Sequence, residues 1–500
     1  MMREHNPAVY RTEQIRWCEQ TAIQQDHLSA DALMERAGKA AWQIISKAYP
    51  HAHHWAIFCG AGNNAGDGYV LARIAHQQGR AVTVYQCKSV ESLPEPARHA
   101  ALQAIAAGVV CQLYEDQLES ETDLIIDALL GIGLTGDVRE PYVTAINYIN
   151  ESGFPIVAID IPSGLDSDTG RIAGVAIQAD MTITFIGKKL GQLTSDGPDC
   201  CGHLLLDTLQ LDDILRVIEP AVQTIAFQAI EALLPPRRRN CHKAEFGNVL
   251  IVGGNLGMPG AIGIAAASAL RVGAGMVTVA THPYYAQQSL SGLPEAMVYG
   301  IEKADLLRPL LEKATVCLVG PGLGEDAWAQ DIFHAVLGAH LPTILDASAL
   351  RLLSENPQWD DNWILTPHPG EAADLLHIST QELQQDRYHA VCKLQEQYGG
   401  TVVLKGLGSL IATDQSEVYI CTAGNPGMAS PGMGDALSGI LAGLLAQGLS
   451  LAETARLGVF IHAYAADLAV EESGERGLLA QDLNYFVRKL INNYVSTADR

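Results

Sequence analysis

Apolar residues in the first half of the chain alternate between short strand-like runs and longer stretches with helical spacing. The strand-like runs lie at residues 54–59, 81–85, 123–127, 155–160 and 181–185. Helical spacing covers residues 28–49, 69–78 and 97–107, and a further helix is predicted from about Tyr142. Strands that alternate with helices indicate a parallel sheet that is covered by helices on both faces.

The second half repeats this alternation. Residues 242–254 contain a strand that runs into a glycine turn, and an Ala-rich helix begins near Met258 and ends near Arg271. Further strands are predicted at residues 276–280, 316–319, 343–345, 363–365 and 401–404. The consistent interpretation is a second α/β domain.

A segment between the two halves resembles a connector. Residues 214–239 contain Pro220 and the pair Pro235-Pro236, which interrupt any long element. A chain of 500 residues is also too long for one ordinary core. We therefore predict a first domain over residues 1–213, a connector over 214–240 and a second domain over 241–500.

The composition argues against a nucleic-acid partner. Lys and Arg number 32 against 56 for Asp and Glu, which gives a net charge of −24 with His neutral. Such a chain repels phosphate backbones. Any anionic substrate must therefore be bound by local glycine loops and a few lysines.

The cysteines and the apolar runs predict a cytosolic protein with no membrane span. The ten cysteines are scattered, without a metal-binding spacing, and are too few for a disulfide framework. Residues 1–16 lack the apolar core of a signal peptide. The longest apolar run, residues 261–280, contains Arg271 and is predicted to be a helix followed by a strand.

Three polar or glycine-rich clusters follow strands of the first half. They lie at residues 60–68, 131–137 and 162–164. Ordinary turn chemistry explains any one of them, but ligands of parallel sheets bind at the carboxyl ends of strands, and three clusters at one edge favour a site. Asn64, Asp127 and Ser163 would also bring oxygen donors together, which suits a hard cation. The first cluster matches the dinucleotide fingerprint only weakly, because its third glycine comes one position late.

Similar clusters follow strands of the second half. They lie at residues 320–324, 346–348, 366–371 and 405–409. His368 stands between two prolines, which fix its loop and expose its ring at the ligand edge, although a lone His is more often structural. Lys405 could bind phosphate or could end a strand with its stem on apolar surface, and its glycine neighbours favour phosphate.

A glycine- and proline-rich loop at residues 424–435 precedes a helical apolar stripe. Such a loop offers unpaired backbone N–H groups and the positive end of the helix dipole to an anion. Asp435 stands at the junction, where it could abstract a proton or bind a metal ion. The alternative is a tight turn in which Asp435 caps the helix.

These motifs together resemble a known family. Residues 249–254, 258–261, 320–324, 365–371, 404–406 and 425–435 resemble the ribokinase-like ADP/ATP-dependent NAD(P)HX dehydratases. Residues 62–68, 127–134 and 158–164 resemble the NAD(P)HX epimerases. In this order the halves look like the bacterial bifunctional nicotinamide-repair enzymes. The resemblance implies a Rossmann-like three-layer α/β/α domain followed by a ribokinase-like α/β domain.

The resemblance also implies a reaction. The substrate would be NADH or NADPH hydrated at C6 of the nicotinamide ring. The first domain would interconvert the R and S hydrates, and the second would use ADP to dehydrate the S hydrate, which gives NAD(P)H, AMP and phosphate. A potassium ion in the epimerase, magnesium with ADP, and a homo-oligomer are expected.

Residue roles follow from the same resemblance. Asp435 is the expected general base of dehydration, and Asp160 with Lys189 is expected to move protons in epimerisation. In the first domain, the residues expected to bind substrate are Asn63, Asn64, Ala65, Gly66, Asp67, Gly131, Ile132, Gly133, Leu134, Thr135, Gly136, Asp137 and Asp160. In the second domain they are Ala261, Gly322, His368 and Asp435. ADP is assigned to Lys405, Gly406, Leu407, Gly408, Ser409 and Gly434. Potassium is assigned to Asn64, Asp127 and Ser163.

Several alternatives stay open. Lys188 stands where the family commonly has Pro, so either Lys188 or Lys189 could be the functional lysine. Ala65 replaces a glycine of the family motif and tolerates positive φ poorly. No residue pattern decides between ADP and ATP, or between NADHX and NADPHX. The rival function is a vitamin or sugar kinase of ribokinase-like fold with a non-catalytic first module.

Overall fold

The computed structural model describes residues 8–25, 28–115, 121–225, 233–286 and 292–493. These residues form two compact units, one over Ala8–Val222 and a second that begins at Gln223. Within the described ranges, no helix combines the length and apolar character needed to cross a bilayer.

The first unit contains a seven-stranded parallel sheet in the order β4-β3-β2-β5-β6-β7-β9. Its strands are β2 (His54–Cys59), β3 (Ala81–Gln86), β4 (Val110–Leu113), β5 (Leu124–Ala128), β6 (Ile156–Ile159), β7 (Met181–Phe185) and β9 (His203–Asp207). Two short strands, β1 (Ala8–Tyr10) and β8 (Lys188–Lys189), pair in parallel with each other and are not part of this seven-stranded sheet.

Helices cover both faces of this sheet. They are α1 (Thr12–Gln25), α2 (Ala30–Ala48), α3 (Asn63–Gln77), α4 (Ala97–Ala106), α5 (Tyr142–Glu151), α6 (Gly197–Cys201) and α7 (Asp212–Leu215). Because successive side chains of a strand point to opposite faces, Ile57 packs in one core with α2, α3 and α4, while Phe58 packs in another with α5. The unit therefore has the predicted three-layer α/β/α arrangement.

The sheet of the second unit runs in the order β13-β12-β11-β14-β15-β16-β17-β18-β19-β10. Its strands are β10 (Val222–Thr224), β11 (Asn248–Val252), β12 (Met276–Thr281), β13 (Met297–Gly300), β14 (Val316–Val319), β15 (Thr343–Leu345), β16 (Trp363–Leu365), β17 (Thr401–Leu404), β18 (Ser409–Ala412) and β19 (Val418–Cys421). The pairs from β13 to β17 are parallel, and β17, β18 and β19 are antiparallel neighbours.

The helices of the second unit include a closely packed pair that shapes its functional edge. They are α8 (Pro259–Arg271), α9 (Arg308–Leu311), α10 (Ala327–Leu337), α11 (Ser348–Glu355), α12 (Pro369–Leu376), α13 (Thr380–Gln385), α14 (Arg387–Tyr398), α15 (Met433–Leu445), α16 (Leu451–Ser473) and α17 (Leu483–Asn493). Helix α15 approaches α8 so closely that a Cβ at Gly439 would lie 2.2 Å from the carbonyl oxygen of Ala265. Only glycine fits there.

The predicted α/β class is confirmed, and the predicted strands agree with the structure to within two residues at their bounds. The sequence pattern did not predict the strands β1, β4, β8, β9, β10, β13, β18 and β19 or the helices α1, α6 and α7, and of the helices of the second unit it predicted only α8 and α15. Within the predicted connector, residues 226–232 lie outside the described residues, and Gln223 pairs with Tyr419 of β19. Residues 1–7, on which part of the signal-peptide argument rests, also lie outside them.

Two local predictions were wrong. The cluster at residues 60–68 was predicted as a loop, but α3 already begins at Asn63. Ala65 is therefore helical, and the positive φ that an alanine tolerates poorly is not required. Asp435 was considered as a helix cap, but the capping residue of α15 is Gly432, whose φ of 86° suits glycine. Asp435 lies inside the first turn.

Candidate active sites

A cavity of about 570 Å³ lies in the first unit, beyond the carboxyl ends of β2, β5 and β6. Most of the residues predicted to bind substrate line it, namely Asn63, Asn64, Asp67, Gly131, Ile132, Gly133, Leu134, Thr135, Asp137 and Asp160. Ala65 and Gly66 are buried in α3, and they and Gly136 are not among the lining residues. The position of the cavity agrees with the rule for ligands of parallel sheets.

Asp160 follows β6 in an unusual backbone conformation. Its φ is 65°, in the left-handed region that a non-glycine residue seldom adopts. Two hydrogen bonds hold this backbone conformation. The Asp160 N–H donates to the Ile183 carbonyl at 2.8 Å, and the Gln192 side chain donates to the Asp160 carbonyl at 2.8 Å. Strained residues held in this way cluster at functional sites.

The Lys189 ammonium forms an ion pair with the Asp160 carboxylate. It also donates to the Thr184 hydroxyl at 2.8 Å and to the Phe185 carbonyl at 2.9 Å, and its side chain is fully buried. The structure thus brings Lys189, rather than Lys188, to Asp160. The ion pair leaves Asp160 with a fixed orientation towards the cavity.

The predicted cation ligands belong to one hydrogen-bond network. The Asn64 amide donates to the Leu130 carbonyl at 2.8 Å, and the Leu130 N–H donates to the Ser163 hydroxyl at 2.7 Å. Ser163 in turn donates from its hydroxyl to Asp127 at 2.6 Å and from its N–H at 2.8 Å. Among the described residues, the buried Oδ1 atom of Asn64 has no hydrogen-bond partner. Burial raises the pKa of Asp127 to about 6, although hydrogen bonds from Ser163 and Leu129 oppose the shift.

Two further carboxyls reach the cavity, and one of them was missed from the sequence. Glu19 lies on α1, and Asp67 lies on α3. Burial, and then the negative charge of Asp160, raise the pKa of Glu19. Burial and the same charge hold the pKa of Asp67 well above its usual range. The site therefore contains more acidic groups than the motifs indicate.

In the second unit, Asp435 lies in the first turn of α15, beyond the ends of the parallel strands. Burial, followed by the nearby charge of Asp346, raises the pKa of Asp435 to about 7, and Lys405 opposes the shift. A carboxylate with such a pKa can exchange a proton near neutral pH. A Cβ at the neighbouring Gly434 would lie 3.4 Å from the Lys405 ammonium, so the first turn of α15 approaches that lysine closely.

The Lys405 ammonium is held by carboxylates. It donates to Asp346 at 2.9 Å and lies 3.8 Å from Glu371. Asp346 is buried and also accepts from Ser438 at 2.5 Å and from Thr366 at 2.9 Å. Burial alone would raise the pKa of Asp346, but Lys405 and the two hydroxyls outweigh it, so this pKa lies below its usual range. Asp346 is therefore ionised beside Lys405.

The predicted nucleotide loop, residues 405–409, connects β17 to β18. Gly406 and Gly408 adopt φ of 139° and 64°. The buried Arg387 side chain donates to the Lys405 carbonyl at 3.3 Å, and a Cβ at Gly406 would lie 2.7 Å from its guanidinium. Leu407 is exposed and the Ser409 hydroxyl donates to the Gly406 carbonyl at 2.9 Å. The loop conformation thus depends on Arg387, which no motif indicated.

His368 caps α12. Its Nδ1 atom accepts hydrogen bonds from the backbone N–H groups of Gly370 at 3.0 Å and Glu371 at 3.2 Å. The backbone N–H of His368 donates to the Glu371 carboxylate at 2.8 Å. The ring is half exposed, and Nε2 lies 3.5 Å from Glu371. His368 is therefore a helix cap, which is the structural role that the sequence left open, and its Nε2 atom remains at the surface of the site.

The remaining two residues predicted to contact the hydrate lie side by side. Gly322 has a φ of 60°, and a Cβ there would lie 3.4 Å from the Cβ of Ala261 on α8. The Gly322 carbonyl accepts a hydrogen bond from the Asn255 N–H at 2.7 Å.

The loop at residues 424–435 is held by Asp467 on α16. The Asp467 carboxylate accepts hydrogen bonds from the Gly424 N–H at 3.0 Å and from the Asn425 side-chain amide at 2.9 Å.

Comparisons with known proteins agree with this division. A family model described as NAD(P)H-hydrate dehydratase matches residues 249–489, and one described as YjeF-related protein N-terminus matches residues 30–191. The chain is 46% identical to the bifunctional NAD(P)H-hydrate repair enzyme Nnr of Coxiella burnetii, over 97% of this chain and 99% of that protein. It is 42% identical to the enzyme of the same name from Escherichia coli, over 98% and 95%.

A solved structure matches the second half. The ADP/ATP-dependent NAD(P)H-hydrate dehydratase of Bacillus subtilis, co-crystallised with ATP/Mg2+, aligns with a TM-score of 0.50 and 28% identity, over 55% of this chain and 99% of that chain. The full-length similarity confirms the resemblance found in the motifs. The chain belongs to the family of bifunctional NAD(P)H-hydrate repair enzymes.

Proposed function

We propose that this protein repairs hydrated NADH and NADPH in two steps. The first unit interconverts the R and S hydrates, and the second dehydrates the S hydrate with ADP, which gives NAD(P)H, AMP and phosphate. The observation that most supports the second step is the position of Asp435, whose pKa is raised to about 7, in the first turn of α15 beside Lys405.

Dehydration needs a better leaving group than hydroxide. Asp435 takes the proton of the C6 hydroxyl as general base, and the hydroxyl oxygen attacks the β-phosphorus of ADP, so that AMP departs. The phosphate ester then leaves from C6 as inorganic phosphate, and loss of the C5 proton restores the ring double bond. Backbone N–H groups at the start of α15, around Gly434, and the Lys405 ammonium stabilise the charge on the transferring phosphoryl group.

The substrates of the second unit are assigned to neighbouring loops. ADP is bound by the loop from Lys405 to Ser409 and by Gly434, and the hydrate by Ala261, Gly322, His368 and Asp435. The proximity of Gly434 to the Lys405 ammonium, and of Gly322 to Ala261, supports this arrangement. Magnesium would bind together with the phosphates of the nucleotide and would neutralise part of their charge.

Epimerisation takes place in the cavity of the first unit. Asp160, oriented by Lys189, exchanges a proton with the reacting hydroxyl or water. The substrate lies along Asn63–Asp67 and the loop at 131–137. The ion pair between Asp160 and Lys189 and the position of both segments around one cavity support these roles.

A potassium ion is assigned to Asn64, Asp127 and Ser163. The buried Oδ1 of Asn64, which has no hydrogen-bond partner in the described ranges, and the buried carboxylate of Asp127 offer hard oxygen donors. One hydrogen-bond network connects all three residues. Such an ion would supply positive charge that offsets the cost of burying the ionised Asp127 carboxylate, and it would fix the backbone at Leu130.

We assign domain limits of 1–213 and 241–500, a cytosolic location and a homo-oligomeric state. The location is supported by the ten cysteines, all of which lie in the described part of the chain and form no disulfide there. The oligomeric state is supported by the family resemblance alone.

Product analysis tests the proposed function. Purified protein with ADP and the S hydrate should restore the near-ultraviolet absorbance of the reduced nicotinamide and release AMP and phosphate in equal amounts. Accumulation of a phosphorylated vitamin or sugar instead, with no loss of hydrate, would favour the kinase alternative. The R hydrate should convert to the S hydrate without ADP, and Asp160→Ala should abolish this conversion alone.

A further inference from the structure

Three carboxyls from separate elements surround the cavity of the first unit. Glu19 comes from α1, Asp67 from α3 and Asp160 from the end of β6. The same three groups and Lys189 also line a smaller adjoining cavity of about 120 Å³. The three carboxyls and the Lys189 ammonium therefore share one region of the site.

The three carboxyls are not equivalent. Asp160 is paired with the buried Lys189 ammonium and accepts a hydrogen bond from the Phe185 N–H at 3.1 Å. Within the described part of the chain, the carboxyls of Glu19 and Asp67 make no hydrogen bond and no ion pair. Burial and the neighbouring Asp160 charge raise the pKa of both Glu19 and Asp67, which favours their protonated forms.

An epimerase needs two groups that handle protons. When C6 is inverted through an iminium ion, the hydroxyl leaves one face of the ring and water adds to the other. One group has to protonate the departing oxygen, and another has to deprotonate the incoming water. The Asp160–Lys189 pair provides only the second of these.

We propose that Glu19 is a catalytic residue of the first unit, the general acid that works opposite Asp160 in the epimerisation. This inference rests on the proposed epimerase function and names a residue outside the motifs of the chain.

The Glu19 carboxyl gives its proton to the C6 hydroxyl, the C6–O bond breaks, and water leaves a ring in which N1 and C6 share the double bond of an iminium ion. A water molecule then adds to the opposite face of C6 and gives its proton to the Asp160 carboxylate. Glu19 and Asp160 together carry one proton before and after the step. For the opposite epimer, Asp160 starts protonated and Glu19 starts ionised.

Glu19 suits this function better than Asp67. A general acid is most effective when its pKa is close to the working pH. Burial holds the pKa of Asp67 well above its usual range, whereas the pKa of Glu19 is raised less. The charged groups that face Glu19 are Asp160, which raises its pKa, and Lys189 and Arg16, which lower it, and the Cys18 thiol lies beside it.

The test compares Glu19→Gln with Glu13→Gln, an exposed glutamate on the same helix. In the full-length protein, Glu19→Gln should reduce ADP-independent conversion of the R hydrate by at least about 10²-fold. Binding of NADPH and turnover of the S hydrate should stay unchanged, and Glu19→Asp should recover part of the rate. Glu13→Gln should match the wild type.

The pH profile separates chemistry from structure. For the wild type, epimerisation should fall at high pH as Glu19 loses its proton. Glu19→Gln should lose the fall at high pH. A wild-type rate in Glu19→Gln, or loss of the high-pH fall in Asp67→Asn but not in Glu19→Gln, would overturn the inference and leave the epimerase function intact. A wild-type protein that leaves the R hydrate unchanged would refute the epimerase function itself.

Discussion

The Lys405 ammonium donates a 2.9 Å hydrogen bond to the buried Asp346 carboxylate. The lysine begins the loop assigned to ADP, and the carboxylate follows β15, so the pair connects two strand ends. Ser438 on α15 donates to the other oxygen of Asp346 at 2.5 Å. One buried carboxylate therefore fixes the lysine and the helix that presents Asp435.

Replacing this carboxylate should destabilise the second unit. Asp346→Asn leaves the Lys405 charge without its main partner, and breaking a buried ion pair costs about 3–5 kcal/mol. Denaturant unfolding measures the loss, and Asp414→Asn, on an exposed turn, is the matched control. Equal stability of Asp346→Asn and the wild type would mean that the pair does not organise the site.

Dehydration should depend on the protonation of Asp435. A general base must be deprotonated, and burial raises the pKa of Asp435 to about 7. We therefore expect kcat/KM for the S hydrate to rise with pH up to about 7 and then level off. Asp435→Asn should reduce kcat by about 10²–10⁴-fold. A pH-independent rate between pH 5 and pH 8 would contradict the assigned base.

The same carboxyl should influence stability. The folded-state pKa of Asp435 is about 7 against an ordinary 3.8, so the folded protein holds a proton that the unfolded chain releases. Its stabilising contribution is complete below the unfolded pKa and is lost as pH rises through the folded pKa. The melting temperature of Asp435→Asn should consequently rise relative to that of the wild type as the pH increases from 3.8 to about 7, and the difference should persist at higher pH. A constant difference across that window would show that Asp435 titrates normally.

Replacing potassium by choline should slow epimerisation and leave dehydration of the S hydrate unchanged. Asn64 offers a buried oxygen without a partner among the described residues, and Asn64→Ala should weaken potassium activation by at least about tenfold. Initial rates of R-hydrate conversion at graded potassium concentrations measure this. Equal rates in potassium and choline would show that epimerisation does not depend on a potassium ion.

Much of the fold could be predicted from the sequence because buried parallel strands are short, continuous apolar runs. The runs at 316–319 and 363–365 coincide with β14 and β16. Helix α1 was missed because its fully buried apolar side chains are few, namely Ile15, Cys18 and Ala22. The polar residues on such a helix, including Glu19, then have no visible relation to the site.

The site was only partly predictable for a related reason. Glycine motifs mark loops that approach ligands, so the loop at 405–409 could be recognised from the sequence. The groups that hold these loops come from distant elements: Arg387 supports Lys405 from α14, and Lys189 reaches Asp160. The positive φ of Asp160 depends on bonds to Ile183 and Gln192, which local sequence does not reveal.

Complementation from the pure R hydrate tests whether two sites act in series in this chain. With ADP present, the wild type should restore the absorbance of the reduced nicotinamide, while Asp160→Ala and Asp435→Ala should each fail alone. Mixed in one reaction, the two variants should recover the full absorbance, because the S hydrate made by one diffuses to the other. Failure of the mixture with both variants folded, or full recovery by Asp160→Ala alone, would contradict the account.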